Sequence, residues 1–157
     1  MPKFNVKRRM PYTADQVYAI AADVAAYKEF IPLVRRIAIS NCRTLPDGRD
    51  AFDADMTVAY RKLGIEESML SHVVTDTVAR TVTAHSNEGA VKSLDAVWRI
   101  ESLDPATCDI DFSVDYTMKS RSLQFLLSGM FDLVVRKIMA AFENRARKLY
   151  GPGSARV

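Results

Sequence analysis

Apolar and polar positions alternate in two rhythms along the chain, and the changes of rhythm mark its elements. Phe4, Val6, Arg8 and Met10 alternate with Asn5, Lys7 and Arg9, the period of a strand with one face turned inward. Pro11 ends that run. Thr13 and Gln16 then make a capping box, with Tyr12 and Val17 as its hydrophobic staple, so a helix is predicted over Ala14–Ala22. Asp23 is placed to cap a second short helix through Glu29, which Pro32 prevents from continuing past Ile31.

From Val34 the rhythm is period two, broken by turns. Pro46-Asp47-Gly48 separates a strand over Arg36–Thr44 from one over Asp50–Arg61, in which Phe52, Ala54, Met56, Val58 and Tyr60 share a face. Lys62-Leu63-Gly64, Asp76–Arg80, Asn87-Glu88-Gly89 and Asp104-Pro105 bound further strands at Ile65–Val74, Thr81–Ser86 and Lys92–Ser102. Ile110, Phe112, Val114, Tyr116 and Met118 then alternate with polar residues in the clearest period-two run of the chain. Short connections make these strands antiparallel.

After Lys119 the rhythm changes to steps of three and four. Leu123, Leu126, Leu127, Met130, Phe131, Val134, Ile138, Ala141 and Phe142 form one stripe of a helix over Ser122–Tyr150, with Asp132, Arg136, Glu143 and Arg147 opposite. Ser120 or Ser122 can cap its start, and Gly151-Pro152 stops it. At about 1.5 Å per residue it is roughly 43 Å long. It is the only element long enough to cover the apolar face of the sheet. The expected architecture is therefore α+β: a curved antiparallel sheet of about seven strands wrapped on a long C-terminal helix, with two short helices between strands 1 and 2. Residues 1–151 form a single domain in this reading, and 152–157 a flexible tail.

Two residues on the long helix have both structural and functional readings. Gly129 sits mid-helix, where glycine costs about 1 kcal/mol relative to alanine. Arg145 falls within the apolar stripe. They either allow a close contact and a snorkelling side chain, or mark a helix that leaves a lined cavity with Arg145 at one end. The faces that converge on such a cavity carry Met56, Val58, Tyr60, Trp98, Phe112, Val114, Tyr116, Leu126, Met130, Val134 and Ile138.

Composition narrows the class without deciding it. A chain of 157 residues, 48% hydrophobic and 26% charged, fits one soluble domain with a real core. There is no run of eighteen apolar residues and no signal-peptide pattern, so the expected location is cytoplasmic, with peripheral contact at the inner membrane as an extension. A net charge of +3 does not point to DNA. Basic residues do concentrate after Lys119, at Lys119, Arg121, Arg136, Lys137, Arg145, Arg147 and Lys148, which suits anionic lipid headgroups as well as plain solvation. Cys42 and Cys108 match no zinc or redox spacing and read as half-buried reduced thiols. His72 and His85 stand on no catalytic spacing, and no HExxH, phosphate loop or nucleophile elbow occurs. Glu67 joins Ile65 and Met69 on the inner face in one strand register, where Arg145 could partner it. The pattern favours binding over catalysis, with no metal and no catalytic residue.

Three stretches together resemble the coenzyme Q-binding family of the START-like, polyketide-cyclase superfamily. Asp23-Val24-Ala25-Ala26-Tyr27-Lys28-Glu29-Phe30-Ile31-Pro32 is similar to that family's D-V-x-x-Y-P-x-F-[LV]-P segment, with Lys28 in place of proline. Gly89, Lys92, Leu94 and Trp98 match a G-P-F-K-x-L-x-x-x-W pattern in which Ala90-Val91 replaces Pro-Phe. Ala141-Phe142-Glu143-Asn144-Arg145-Ala146 with Leu149-Tyr150-Gly151 resembles the family's ending. The resemblance implies a helix-grip (START-like) fold and non-catalytic binding of ubiquinone in support of respiration, the quinone being a bound ligand and not a cofactor. Tyr60, Tyr116, Trp98 or Arg145 would then hydrogen-bond its head. It also implies alternatives: a toxin that blocks ribosomal subunit association, with the ribosome as partner, or a polyketide aromatase/cyclase.

Overall fold

Each alternating stretch forms a strand. The strands are β1 (Lys3–Met10), β2 (Val34–Thr44), β3 (Asp50–Tyr60), β4 (Ile65–Asp76), β5 (Thr81–Gly89), β6 (Val91–Ser102) and β7 (Cys108–Met118). The helices are α1 (Ala14–Ala22), α2 (Tyr27–Phe30) and α3 (Arg121–Tyr150), with a 3-10 turn at Val24–Ala26. The computed structural model describes residues 3–31, 33–60 and 64–152, apart from the side chains of Tyr60, Ile65, Ser122, Leu123, Leu126, Leu127, Met130, Phe131 and Asp132. The expected tail lies almost wholly outside these residues. The strands make one curved antiparallel sheet in the order β1-β7-β6-β5-β4-β3-β2. Successive hairpins account for β2 to β7, and the first strand closes beside the last, pairing Val6 with Phe112 and Met10 with Cys108.

The capping box of α1 is present as expected. Thr13 Oγ1 accepts from the Gln16 backbone N–H at 3.1 Å, and Gln16 Oε1 accepts from the Thr13 N–H at 3.0 Å. The second helix differs from expectation. Asp23 makes no side-chain cap, and the segment breaks into the 3-10 turn and α2. Its position is fixed by Tyr27, whose hydroxyl donates back to the Ala21 carbonyl. Burial pushes the Tyr27 phenol well above its ordinary range, so it remains a donor.

α3 grips the sheet with a line displaced from the expected stripe. Val135, Met139, Phe142 and Ala146 are buried, while Val134, Ile138 and Ala141 are half-buried on its flank. Phe142, with no exposed surface, stacks on Trp98 at 4.6 Å between centroids, and Trp98 lies 4.2 Å from Phe112. Tyr27 and Phe30 meet the Phe142 ring edge-on at 6.1 and 5.5 Å. Glu143, expected on the solvent side, instead turns to β1 and pairs with Arg8 at 2.9 Å. The apolar stripe is wide enough to be shared: the sheet takes one flank, and α2 takes the other.

Glycine's freedom shapes the fold at Gly89 and Gly151. At Gly89 (φ +84) a Cβ would lie 2.1 Å from the Ser68 carbonyl oxygen, so no other residue fits between β5 and β4 there. Gly151 (φ +79) ends α3 by donating its N–H to the Arg147 carbonyl at 2.8 Å, and the Tyr12 hydroxyl binds the Gly151 carbonyl at 2.9 Å. Gly129 is different. It is exposed, and a Cβ there meets nothing within 4 Å, so it neither permits a close contact nor makes room beneath the helix. Gly129→Ala should therefore stabilise the protein by about 0.5–1 kcal/mol through helix propensity alone, measured as a raised midpoint in urea unfolding. A destabilised variant would show that the position has a partner after all.

Candidate functional site

The concave face of the sheet is covered unevenly. Over β1, β7 and β6, where α3 presses down, Ile100, Ile110, Phe112, Val114, Tyr116 and Trp98 are all buried. Toward β4, β3 and β2 the cover is patchier: Ala54 and Val73 are buried, whereas Met69, Phe52, Met56, Val58, Ile37 and Ile39 are half-buried. The strand register joins them into one surface, with Met69 opposite Met56, Met56 opposite Ile37, and Val73 opposite Phe52. Glu67 lies opposite Val58, which places its carboxylate on the same inner face, and it is half-buried.

The residues nominated from sequence separate into three groups. Trp98, Phe112, Val114 and Tyr116 are together on β6 and β7, with Trp98 and Phe112 packed against each other. Met56 and Val58 stand apart from them on β3, while Val134 and Ile138 flank the gripping line of α3. The side chains of Tyr60, Leu126 and Met130 lie outside the described residues. Burial raises the Tyr116 phenol above its ordinary value, and a hydrogen bond with Ser128 opposes that shift, so this hydroxyl sits beneath the first turns of α3. Sequence reasoning missed Ile37 and Ile39, and it placed Met69 on the inner face without nominating it. The alternation in β2 and β4 carries the signal for them, but only their register with Met56 shows that they join its surface.

Arg145 does not reach this face. It lies on the far flank of α3, 5.1 Å above the Phe30 ring and 3.4 Å from Glu29, so its partner is Glu29 and not Glu67. Beside it a groove of about 520 Å³ runs between α2 and α3, with Phe30, Ile31, Ala140 and Ala141 as apolar walls and Lys28, Lys137 and Lys148 among the polar ones. Further along α3, Phe125 and Leu133 are exposed. No described helix is long and apolar enough to cross a membrane. The cysteines occupy opposite extremes: Cys42 is exposed, and burial pushes the Cys108 thiol up to about 11, which keeps it protonated.

A seven-stranded antiparallel sheet gripped by a C-terminal helix is the helix-grip class of α+β domain. The chain belongs to the polyketide cyclase / dehydrase and lipid transport family, whose model matches residues 10–143. It is 27% identical over 152 residues to the mitochondrial coenzyme Q-binding protein COQ10 homolog B of Xenopus laevis, covering 95% of this chain but 59% of that protein's length. It is 23% identical over 150 residues to the ribosome association toxin RatA of Escherichia coli K12, covering 96% of this chain and 90% of that one. The solution structure of the 18 kDa protein CC1736 from Caulobacter crescentus superposes with a TM-score of 0.79 at 28% identity, covering 97% and 100% of the two chains.

The convex face carries a different chemistry. One cross-strand row runs over the whole sheet through Lys3, Asp115, Asp95, His85, His72, Asp53 and Ser40. Within it His72 bonds Asp53 at 2.8 Å, and this contact holds the Asp53 carboxyl below the usual carboxylate range, with Asn41 adding a weaker bond at 3.3 Å. A depressed folded-state pKa favours the fold above the ordinary carboxylate range, and that contribution is lost as pH falls through the lowered value. In His72→Ala the Asp53 titration should move up toward the ordinary value, read from its carboxyl 13C shift against pH. An unmoved titration would contradict the assigned cause.

Proposed function

We propose that this chain binds an isoprenoid quinone over the half-covered end of its concave sheet face, without chemical turnover. The observation that carries the reading is the gradient of burial, from the sealed aromatic stack at Trp98 and Phe142 to the half-exposed apolar surface of Ile37, Phe52, Met56, Val58 and Met69. An apolar tail laid over that surface gains roughly 25 cal/mol for each Å² removed from water, with no need for polar partners. In this reading the quinone head reaches across from the half-covered strands to the Tyr116 hydroxyl on β7, which supplies a donor. The name of the coenzyme Q-binding relative points the same way, and a lipid-binding role needs no acid–base dyad. Support of respiratory electron transport is the role this reading implies.

The test is extraction and mass spectrometry of lipid from the native protein beside Val58→Trp, which fills the half-covered face. Recovered quinone, reduced at least about tenfold in the variant with little change in melting temperature, is the expected result. An equal yield from the variant would remove the proposed site. A second reading, interference with ribosomal subunit association, is supported by the nearly full-length match to the RatA toxin and by the basic α2–α3 groove. Ribosome sedimentation with added protein should leave subunit profiles unaltered; free subunits together with an empty protein would favour the toxin reading.

The lysine-rimmed groove and the exposed Leu133 also suit peripheral contact with an anionic membrane surface, consistent with a cytoplasmic protein working at the inner membrane. The triple variant Lys28→Glu, Lys137→Glu and Lys148→Glu should lose co-sedimentation with liposomes containing anionic lipid, and wild-type binding should fall with salt. Binding indifferent to lipid charge, salt and these substitutions would exclude electrostatic docking.

A further inference from the structure

The chain has only two histidines, and the fold sets them directly opposite each other, His72 on β4 and His85 on β5. Their side chains are 47% and 52% exposed on the convex face, remote from the sheet's apolar side. Each ring is held from its outer flank. His72 Nδ1 bonds Asp53 Oδ1 on β3 at 2.8 Å, and His85 Nδ1 bonds Asp95 Oδ1 on β6 at 2.7 Å. An ionised carboxylate only accepts, so each Nδ1 is the donor, and in the neutral imidazole this leaves the lone pair on Nε2. Nδ1 and Nε2 flank Cε1 and lie on opposite sides of the Cβ–Cγ axis. A ring drawn toward β3 therefore turns Nε2 toward β5, and a ring drawn toward β6 turns Nε2 toward β4.

We propose that His72 and His85 form a two-imidazole site for a borderline divalent transition-metal ion, Zn2+, Cu2+ or Ni2+, bound through the two Nε2 atoms. Directly opposed residues in antiparallel strands have Cβ atoms about 4.5–5.5 Å apart, close enough for two imidazoles to share one ion. Asp53 and Asp95 act as the outer carboxylates that fix tautomer and ring orientation and raise ligand basicity. Asp115, next in the row beyond Asp95, adds negative charge. Imidazole nitrogens select against the hard cations Mg2+ and Ca2+, which take oxygen ligands. No cluster of three or more His, Cys, Asp or Glu fit to hold a metal occurs among the described residues. The remaining coordination positions are accordingly filled by water or by an external ligand. The site is independent of what covers the concave face.

The experiment is isothermal titration of the tag-free chain with zinc chloride, in a Cys42→Ser background that removes the exposed thiol as a competing ligand. One saturable Zn2+ per chain is expected, with no displacement by excess Mg2+. His72→Ala and His85→Ala should each weaken binding at least about tenfold, and Asp53→Asn or Asp95→Asn by about 10–100-fold. Histidine side-chain NMR signals of both rings should shift together with the same stoichiometry. Unfolding curves of the apo variants verify that these surface changes leave the fold intact. Unchanged affinity in the double histidine variant, or no saturable binding of Zn2+, Cu2+ or Ni2+, would overturn the proposal.

Discussion

One apolar sheet face and one helix long enough to cover it set the terms for the rest of this molecule. A twisted sheet is not parallel to a straight helix along its whole width, so close contact is confined to part of it. The buried residues Val135, Met139, Phe142 and Ala146 lie on the second half of α3, which contacts α1, β7 and β1, and Phe142 reaches Trp98 on β6. Phe142 is the point at which three layers meet: Trp98 from the sheet, Tyr27 and Phe30 from the α2 segment, and α3 itself. Tight closure there leaves the β2–β4 end of the concave face with incomplete cover. The half-covered apolar surface at that end is a geometric remainder of the closure.

The other flank of α3 is held by a weaker device. Arg145 lies above Phe30 and beside Glu29, a side chain more than half exposed. An ion pair with so exposed a partner contributes little, whereas the guanidinium over an aromatic face is worth about 0.5–2 kcal/mol as it becomes desolvated. Arg145 itself is only 15% exposed, so the ring contact is the stronger of its two attachments. Its carbon stem and planar head together pin α2 against α3. A guanidinium engaged in this way is oriented away from the sheet's concave face.

Local pattern was readable because each element needs only its own residues to announce itself. Period-two runs, the Thr13–Gln16 box and the Gly151 stop gave strand and helix limits within a few residues of those observed. What depends on partners was not readable. The pairing of β1 with β7 joins residues a hundred positions apart, and Glu143 meets Arg8 across a comparable separation. The orientation of α3 was misjudged because an apolar stripe shared by two partners has its centre at neither one. Glu143 shows the consequence, since it reads as a solvent residue yet meets Arg8 on the sheet. Half of the candidate surface was legible for the same reason that half was missed: β3 and β7 alternate clearly, whereas membership of Ile37 and Ile39 is a property of register.

Register also explains why the histidines meet. Between β4 and β5, Leu70 pairs with Glu88, and continued regular pairing would bring Ser86 opposite His72. The ladder instead shifts by one residue, so that His85 faces His72. Ser86 is fully buried at this shift, and its hydroxyl donates to the Leu70 carbonyl at 2.6 Å, with the Glu88 carbonyl at 3.3 Å as a second acceptor. A buried hydroxyl bonded to backbone on both sides satisfies polar groups that an irregular ladder would otherwise leave unmade. A one-residue slip in the absence of that bond would send every following side chain of β5 to the other face of the sheet. The polar row on the convex side and the apolar row on the concave side are therefore fixed by the same small residue, and the sheet's two chemistries are coupled through its register.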